Sequence, residues 1–489
     1  MRFMGKISDS AKICFAFEVH QPYRLGKSFE NCRFDRWFST SNREILTRVA
    51  EKCYIPATRI ILENLDSGFK CAFSLSGIVV EQLERWNRDA FELFVDCAEH
   101  RNCEFLAQTY FHSISSLFRD KSEFEKQVRM HASMLKEKFH VKPEVFENTE
   151  LIFDSTIASH VRRMGFRAIY AEGCDRLLRG KSPNHVYMCN GIKVLVRNFQ
   201  LSDDIAFRFS CKEWDEWPLT AEKYAEWLSK TPGDCVNIFI DYETFGEHHW
   251  KESGILEFLR WLPYECERRG LSFALPSELA EMKVAGEIEA KETTSWADVE
   301  KDVSAWIGND MQRSAFLAVE LAEPYARRDG TNKRMWRLLQ TSDHFYYMAT
   351  KSGSSGEVHS YFSQSEPFRA FYEYMEAISK YEECCIRRMR KDAAWKLRTV
   401  KPDLAFHFYS DGNYVTSAHS MHEFALKLRE VEEECLKQHY IRGDFERWVK
   451  DVLNDEELAR RMKEVSEPFK TRLAEVVEER VNELWSLLR

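Results

Sequence analysis

The sequence has no stripe of basic residues able to neutralise a phosphate backbone: 79 acidic and 70 basic residues, mixed through helix-type stretches, give a net charge of −9. Nucleic acid is therefore not an expected partner. No apolar run approaches the length of a spanning helix, and residues 1–10 are too polar for the apolar core of a signal peptide. A soluble, cytoplasmic protein without a membrane partner is expected. The 14 cysteines include adjacent Cys384 and Cys385 but no C-x-x-C pair and no regular spacing, so neither a zinc knuckle nor a disulfide framework is signalled. Cys14 and Cys235 sit inside apolar runs as small hydrophobes, which fits a reducing compartment. Internal repeats and long low-complexity tracts are also lacking.

What the chain does have is length, aromatic residues and alternation. Its 489 residues suffice for two to four domains or for one α/β barrel with additions. Aromatics make up 13% of it, which serves a Phe-rich core and leaves material for stacking platforms in a cleft. Short apolar runs at 13–19, 71–75, 105–107, 144–146, 168–171 and 236–240 predict strands. Between several of them, stretches at 43–65, 78–100, 121–138 and 153–164 carry apolar residues at helical spacing. Repeated strand and crossover helix predicts a parallel α/β sheet, with an incomplete barrel as the leading form. Past Pro276 the pattern turns helical, near 309–325, 331–351, 366–396, 418–438 and 441–487, interrupted at Asp329-Gly330 and at Ser352-Gly353-Ser354-Ser355-Gly356. A small hairpin is predicted at 405–417, turning at Ser410-Asp411-Gly412-Asn413.

The run 236–240 ends in Asp241-Tyr242-Glu243-Thr244-Phe245-Gly246-Glu247-His248-His249-Trp250. Carboxyl ends of strands form the mouth of an α/β fold, so ionisable and aromatic residues crowded there predict a site for a flat, polar ligand. The plain alternative is a polar loop after a core strand. Other strand ends contribute His20-Gln21-Pro22-Tyr23, Gln108-Thr109-Tyr110-Phe111-His112 and Phe146-Glu147-Asn148-Thr149-Glu150. A lone histidine is more often structural than catalytic, but a strand-end position favours His20 and His112. Asn148 or Thr149 is a candidate helix cap, in which case a neighbouring acid only complements the helix dipole. Glu150 and Asp241 arrive from different strands as a carboxyl pair, which glycosidic cleavage requires: one protonates the leaving oxygen, the other attacks or stabilises the anomeric carbon.

In order along the chain, His20-Gln21-Pro22, Phe146-Glu147-Asn148-Thr149-Glu150-Leu151, Asp241-Tyr242-Glu243-Thr244-Phe245-Gly246 and Trp306-Ile307-Gly308-Asn309-Asp310-Met311-Gln312 resemble the conserved regions of glycoside hydrolase family 57, and within it the intracellular α-amylases. The resemblance runs from residue 13 to about residue 400. It implies a (β/α)7 barrel over 1–290 and a helical bundle over 291–400 that completes the cleft, leaving 401–489 as a mainly helical module of unknown role. It also implies action on α-1,4-glucans with retention and without metal or other cofactor. Glu150 would be the nucleophile and Asp241 the acid/base. His20, Gln21, His112, Tyr242, Phe245, Trp250 and Trp306 would bind substrate. The expected partner is an α-glucan or maltooligosaccharide; self-association into a homo-oligomer is left open. Hydrolysis, 4-α-glucanotransfer and branching share the covalent intermediate, and the motifs do not separate them.

Two departures stand out. Where that branch has Arg-Asn-Thr-Glu the chain has Glu147-Asn148-Thr149-Glu150, and where it has Ala-Glu-Thr-Tyr the chain has Ala107-Gln108-Thr109-Tyr110. Glu147 either raises the pKa of the nucleophile or points to the opposite face and pairs with a surface cation. The alternatives to a glucan-active enzyme are a carbohydrate deacetylase with His20, Asp241, His248 and His249 as zinc ligands, and a glucan-binding protein that has lost activity.

Overall fold

A computed structural model describes residues 11–327, 330–351, 366–389, 391–467 and 469–488. Asp329 and the stretch 352–356, expected as interruptions, lie outside them. Contacts divide the chain into two compact units, Met1–Tyr23 with Thr40–Val303, and Arg24–Ser39 with Ser304–Arg489. The first unit runs to Val303, and residues 304–400 and 401–489 fall in one unit, where side chains join them: Glu423 accepts a hydrogen bond from Ser314 Oγ, and Asp403 Oδ2 accepts one from Tyr372 Oη at 2.6 Å.

The first unit is built on β1 (Lys12–Val19), β2 (Cys71–Leu75), β3 (Cys103–Phe105), β4 (Val145–Phe146), β5 (Ala168–Glu172), β6 (Val186–Cys189), β7 (Ile192–Arg197), β8 (Cys235–Asp241) and β9 (Ser272–Phe273). The main path runs β3-β2-β1-β8-β7-β5-β4 and every pairing along it is parallel. Its ends meet where Ala107, just beyond β3, bridges Phe146 of β4, so seven strands follow one another around a barrel in chain order. β6 is an antiparallel addition to β7 through a turn at Asn190-Gly191, and β9 pairs with the start of β1. Asn-Gly supplies the positive φ that such a two-residue turn needs, here +47° and +80°.

Alternation along β1 sorts its residues between two cores. Ile13, Phe15, Phe17 and Val19 join the larger cluster with the surrounding helices, whereas Cys14 and Ala16 join Ala72, Tyr170, Leu195 and Phe239 in the smaller one. Burial on both faces is why these strands read as unbroken apolar runs. Glu18 follows the register of Cys14 and Ala16, and its direct neighbours across β2 and β8 are Ser74 and Asp241. A polar level therefore crosses three strands at their carboxyl ends.

The helices begin where the sequence caps them. Ser76 accepts from the Val79 N–H, Asn87 from that of Ala90, and Asp154 from those of Thr156 and Ile157. Asn87 thus splits the single helix expected at 78–100 into Gly77–Trp86 and Arg88–Glu99.

The second unit is helical, from Ser304–Ile307 to Phe469–Leu488, with one hairpin, Phe406–Ser410 and Asn413–Ala418, close to its predicted position. Phe406 sits against Phe424, Phe445 and Trp448, which anchors the hairpin on the helices that follow. Cys32 and Cys384, distant in sequence, form a disulfide with Cα atoms 5.7 Å apart. That pair corrects the expectation of no disulfide; it joins residues 352 apart, which no local spacing signals. Among the described residues no helix is long and apolar enough to cross a membrane.

Candidate active site

Glu150 lies in a short turn, Thr149–Leu151, after β4, with backbone φ of +62°; Leu151 and His112 also lie at positive φ, +49° and +48°. Left-handed backbone at non-glycine residues is costly and collects at functional sites. Neither Asn148 nor Thr149 caps the following helix, which starts later on Asp154. Instead Asn148 Nδ2 donates to Ile152 O at 2.7 Å and the Thr149 hydroxyl meets that of Thr109 at 2.7 Å. Those bonds hold the turn that presents Glu150. Its Oε2 accepts from Trp296 Nε1 at 2.7 Å, and its Oε1 is 3.6 Å from His112 Nε2.

Asp241 ends β8. Burial first, then the charges of Glu243 and Glu150, hold its carboxyl well above the usual carboxylate range, against the opposing pull of His112 and Arg197. Glu243 is buried on the next turn, where it accepts from Tyr54 Oη and, at 3.4 Å, from Gln21 Nε2. Burial pushes it up to about 7 despite those donors.

His112 stands between carboxylates, with Nδ1 3.5 Å from Glu18 Oε1 and 3.0 Å from Gln108 Oε1. Its ring stacks on His20 at 3.9 Å between centroids, and His20 Nδ1 meets Ser76 Oγ at 2.8 Å. Behind Trp296 lies a buried ion network. Arg197 Nη1 donates to Glu172 at 2.9 Å, its Nη2 to Asp203 at 2.7 Å and its Nε to Phe239 O at 2.7 Å, with Lys301 Nζ 3.3 Å from Glu172. The Arg197 guanidinium lies 5.6 Å from the Trp296 ring centroid, and Lys301 Nζ donates to Trp296 O, so the network fixes the indole that holds Glu150.

The structure brings Glu150, Asp241, His112, His20 and Gln21 to this mouth. Of the other residues expected to bind sugar, two are turned into the core of the first unit. Tyr242 and Phe245 are buried in the aromatic core with Phe17, and the Tyr242 hydroxyl meets Thr58, so both are core residues. Their ring faces are consumed by packing. Trp250 is 64% exposed, with Lys52 Nζ 5.5 Å from its ring centroid. Trp306 is buried on Ser304–Ile307 of the second unit.

Glu147 does not pair with a surface cation: it is 1% exposed and accepts from Ser74 Oγ at 3.0 Å. The zinc set of the deacetylase alternative does not assemble. His249 spends Nδ1 on Ser210 and Nε2 on the carbonyls of Ile205 and Ala206, and no cluster of three or more His, Cys, Asp or Glu suited to a metal occurs among the described residues. Glu247 pairs with Arg48. Sequence reasoning missed Glu18, Trp296, Arg197 and Lys301. An acid inside an apolar strand signalled the first; the others reach the mouth only through the fold.

At the strand ends of a parallel barrel stand two carboxyls, one pinned by an indole and one held above the usual carboxylate range by burial and then by neighbouring charge, an arrangement that acid–base chemistry on a glycosidic oxygen can use. Residues 14–294 match the model of glycosyl hydrolase family 57. A Methanocaldococcus jannaschii protein provisionally named an α-amylase is 44% identical over 391 residues, which is 76% of this chain and 84% of that one. The chain belongs to glycosyl hydrolase family 57. In fold it is similar to a family 57 branching enzyme from Thermococcus kodakaraensis, with a TM-score of 0.57, 13% identity and coverage of 78% of this chain and 91% of the other. It is also similar to the 4-α-glucanotransferase of Thermococcus litoralis, with a TM-score of 0.51, 16% identity and coverage of 83% and 64%.

Proposed function

We propose that the protein is a retaining α-glucan hydrolase of the α-amylase type, with Glu150 as nucleophile and Asp241 as acid/base. The observation that carries this reading is the asymmetry of the two carboxyls. Burial and the charges around it raise Asp241 well above the usual carboxylate range, which favours the protonated form that a proton donor needs, while Glu150 receives the Trp296 N–H along one oxygen and faces His112 with the other. In the reaction Asp241 gives its proton to the glycosidic oxygen as Glu150 attacks the anomeric carbon. A β-glucosyl ester forms on Glu150, the shortened glucan leaves, and water activated by the now ionised Asp241 releases glucose units with the α configuration. The provisional name of the Methanocaldococcus relative supports hydrolysis of α-glucan as the outcome.

Incubation with a single maltooligosaccharide, followed by chromatography, tests this. Shorter sugars alone are expected. Products longer than the starting sugar would replace hydrolysis by transfer, and no product at all would overturn the enzymatic reading.

A further inference from the structure

The two residues that depart from the resembling branch, Gln108 and Glu147, are joined to each other and to the nucleophile. Glu147 Oε2 accepts from the Ser74 hydroxyl at 3.0 Å, Ser74 Oγ accepts from Gln108 Nε2 at 2.8 Å, and Gln108 Nε2 also donates to Glu18 Oε1 at 2.8 Å. Gln108 Oε1 is left facing His112 Nδ1 at 3.0 Å, and on the far side of that ring Nε2 faces Glu150 Oε1 at 3.6 Å. All of Glu18, Ser74, Gln108, His112 and Glu147 are buried.

Donor and acceptor counting makes this chain directional. A hydroxyl has one proton; if Glu147 takes it, Ser74 must be approached by a donor, so Gln108 turns its NH2 toward Ser74 and Glu18 and its C=O toward His112. A carbonyl facing Nδ1 requires a proton there. The flipped amide would demand the opposite, a proton on Nε2 alone. We propose that Glu147, through Ser74 and Gln108, is a positioning residue that fixes His112 as the Nδ1–H tautomer, so that in the neutral ring the nitrogen turned to Glu150 carries no proton. With Nδ1–H fixed, an N–H reaches Glu150 only when the ring carries both protons, and the resulting imidazolium lies between Glu150 and Glu18. Among the described residues, other charged or titratable groups around it include Glu147, Asp241 and the stacked ring of His20. Glu18 Oε2 is buried without a hydrogen-bond partner. Burial followed by the charge of Glu147 holds Glu18 well above the usual range, and a hydrogen bond between these two carboxyls acts in the same direction on Glu18.

This inference rests on the reading of Glu150 as nucleophile only for its catalytic consequence, and the tautomer is measurable without substrate. The test is 15N NMR of protein labelled at histidine, with the His112 ring identified by its loss in His112→Asn. At pH above the titration of the ring, the parent is expected to show Nδ1 protonated and Nε2 bare; Nε2–H in the parent overturns the proposal. In Glu147→Gln the Ser74 hydroxyl is no longer held as donor to a carboxylate, and the Gln108 amide is left to be directed by Glu18 alone. A shift toward Nε2–H is expected, with kcat lowered about 10–100-fold, the range for outer partners that orient a working imidazole, and KM little changed. An unchanged tautomer in that variant overturns the role of Glu147. Should that variant fail to fold, Ser74→Ala breaks the same chain one link later and is read the same way. If the parent shows Nδ1–H but has no activity on glucans, the tautomer stands and the functional reading falls.

Discussion

As the proposed proton donor, Asp241 would act in its protonated form, which sets the direction of its pH dependence. Its folded carboxyl is held above the ordinary value, so the donating form persists on folding and is lost as pH rises through the folded value. The alkaline limb of kcat/KM is therefore assigned to Asp241. Glu243 is the larger of the two charges that raise it. Glu243→Gln is expected to move the alkaline limb to lower pH and leave the acid limb in place; a pH–rate profile with an unmoved alkaline limb would contradict this. Glu243 is itself raised to about 7, so its contribution to stability is complete below the ordinary carboxylate value and is lost as pH rises through 7. Melting temperatures of Glu243→Gln followed against pH should fall less steeply across that window than those of the parent. Asp241→Asn should lower kcat about 10²–10⁴-fold, the usual weight of a general acid. At this scale much of the site was legible: Glu150, Asp241, His20 and His112 stand at strand ends in the sequence as in the fold. Tyr242 and Phe245 were misjudged because motif position does not tell which face of a turn meets the core.

Trp296 belongs to no strand, yet two elements decide its place: the Glu150 turn in front and the strand-end pair Glu172 and Arg197 behind. Trp296→Phe keeps a ring near Phe239 and Arg197 but removes the indole N–H. A loss of roughly 10–100-fold in kcat is expected, the worth of one charge-assisted hydrogen bond, with the melting temperature nearly unchanged; equal losses in both would mean that Trp296 only fills space. Arg197→Met leaves Glu172 buried with Lys301 as its one remaining cation among the described contacts. Removing one partner of a buried pair costs about 3–5 kcal/mol, to be read from denaturant unfolding. Six of the barrel strands and the helices between them were readable because both-face burial leaves apolar runs and capped helices leave 3.6-residue spacing. β7 was missed although Asn190-Gly191 marks its turn, since Lys193 and Arg197 dilute the run. Besides Asp203, six residues on, Arg197 is satisfied by Glu172 and the Phe239 carbonyl, which are distant in sequence and which no local pattern contains.

Over the whole molecule, the alternation of strand and helix ends with the first unit, and the helical second unit carries its own aromatic core. The barrel order was legible because consecutive strands are neighbours; the inclusion of Arg24–Ser39 in the second unit was not, because it depends on contacts such as Cys32 with Cys384 across most of the chain. During turnover one carboxylate in this molecule, Glu150, is proposed to become covalently glycosylated. The most direct test is to trap the intermediate with a fluorinated α-glucosyl fluoride, which slows release, and to locate the added sugar by peptide mass spectrometry. The account predicts a single glycosyl group on the peptide containing Glu150, lost in Glu150→Gln. A sugar on Glu147, Glu243 or Asp241, or turnover with inversion and no adduct, would contradict it.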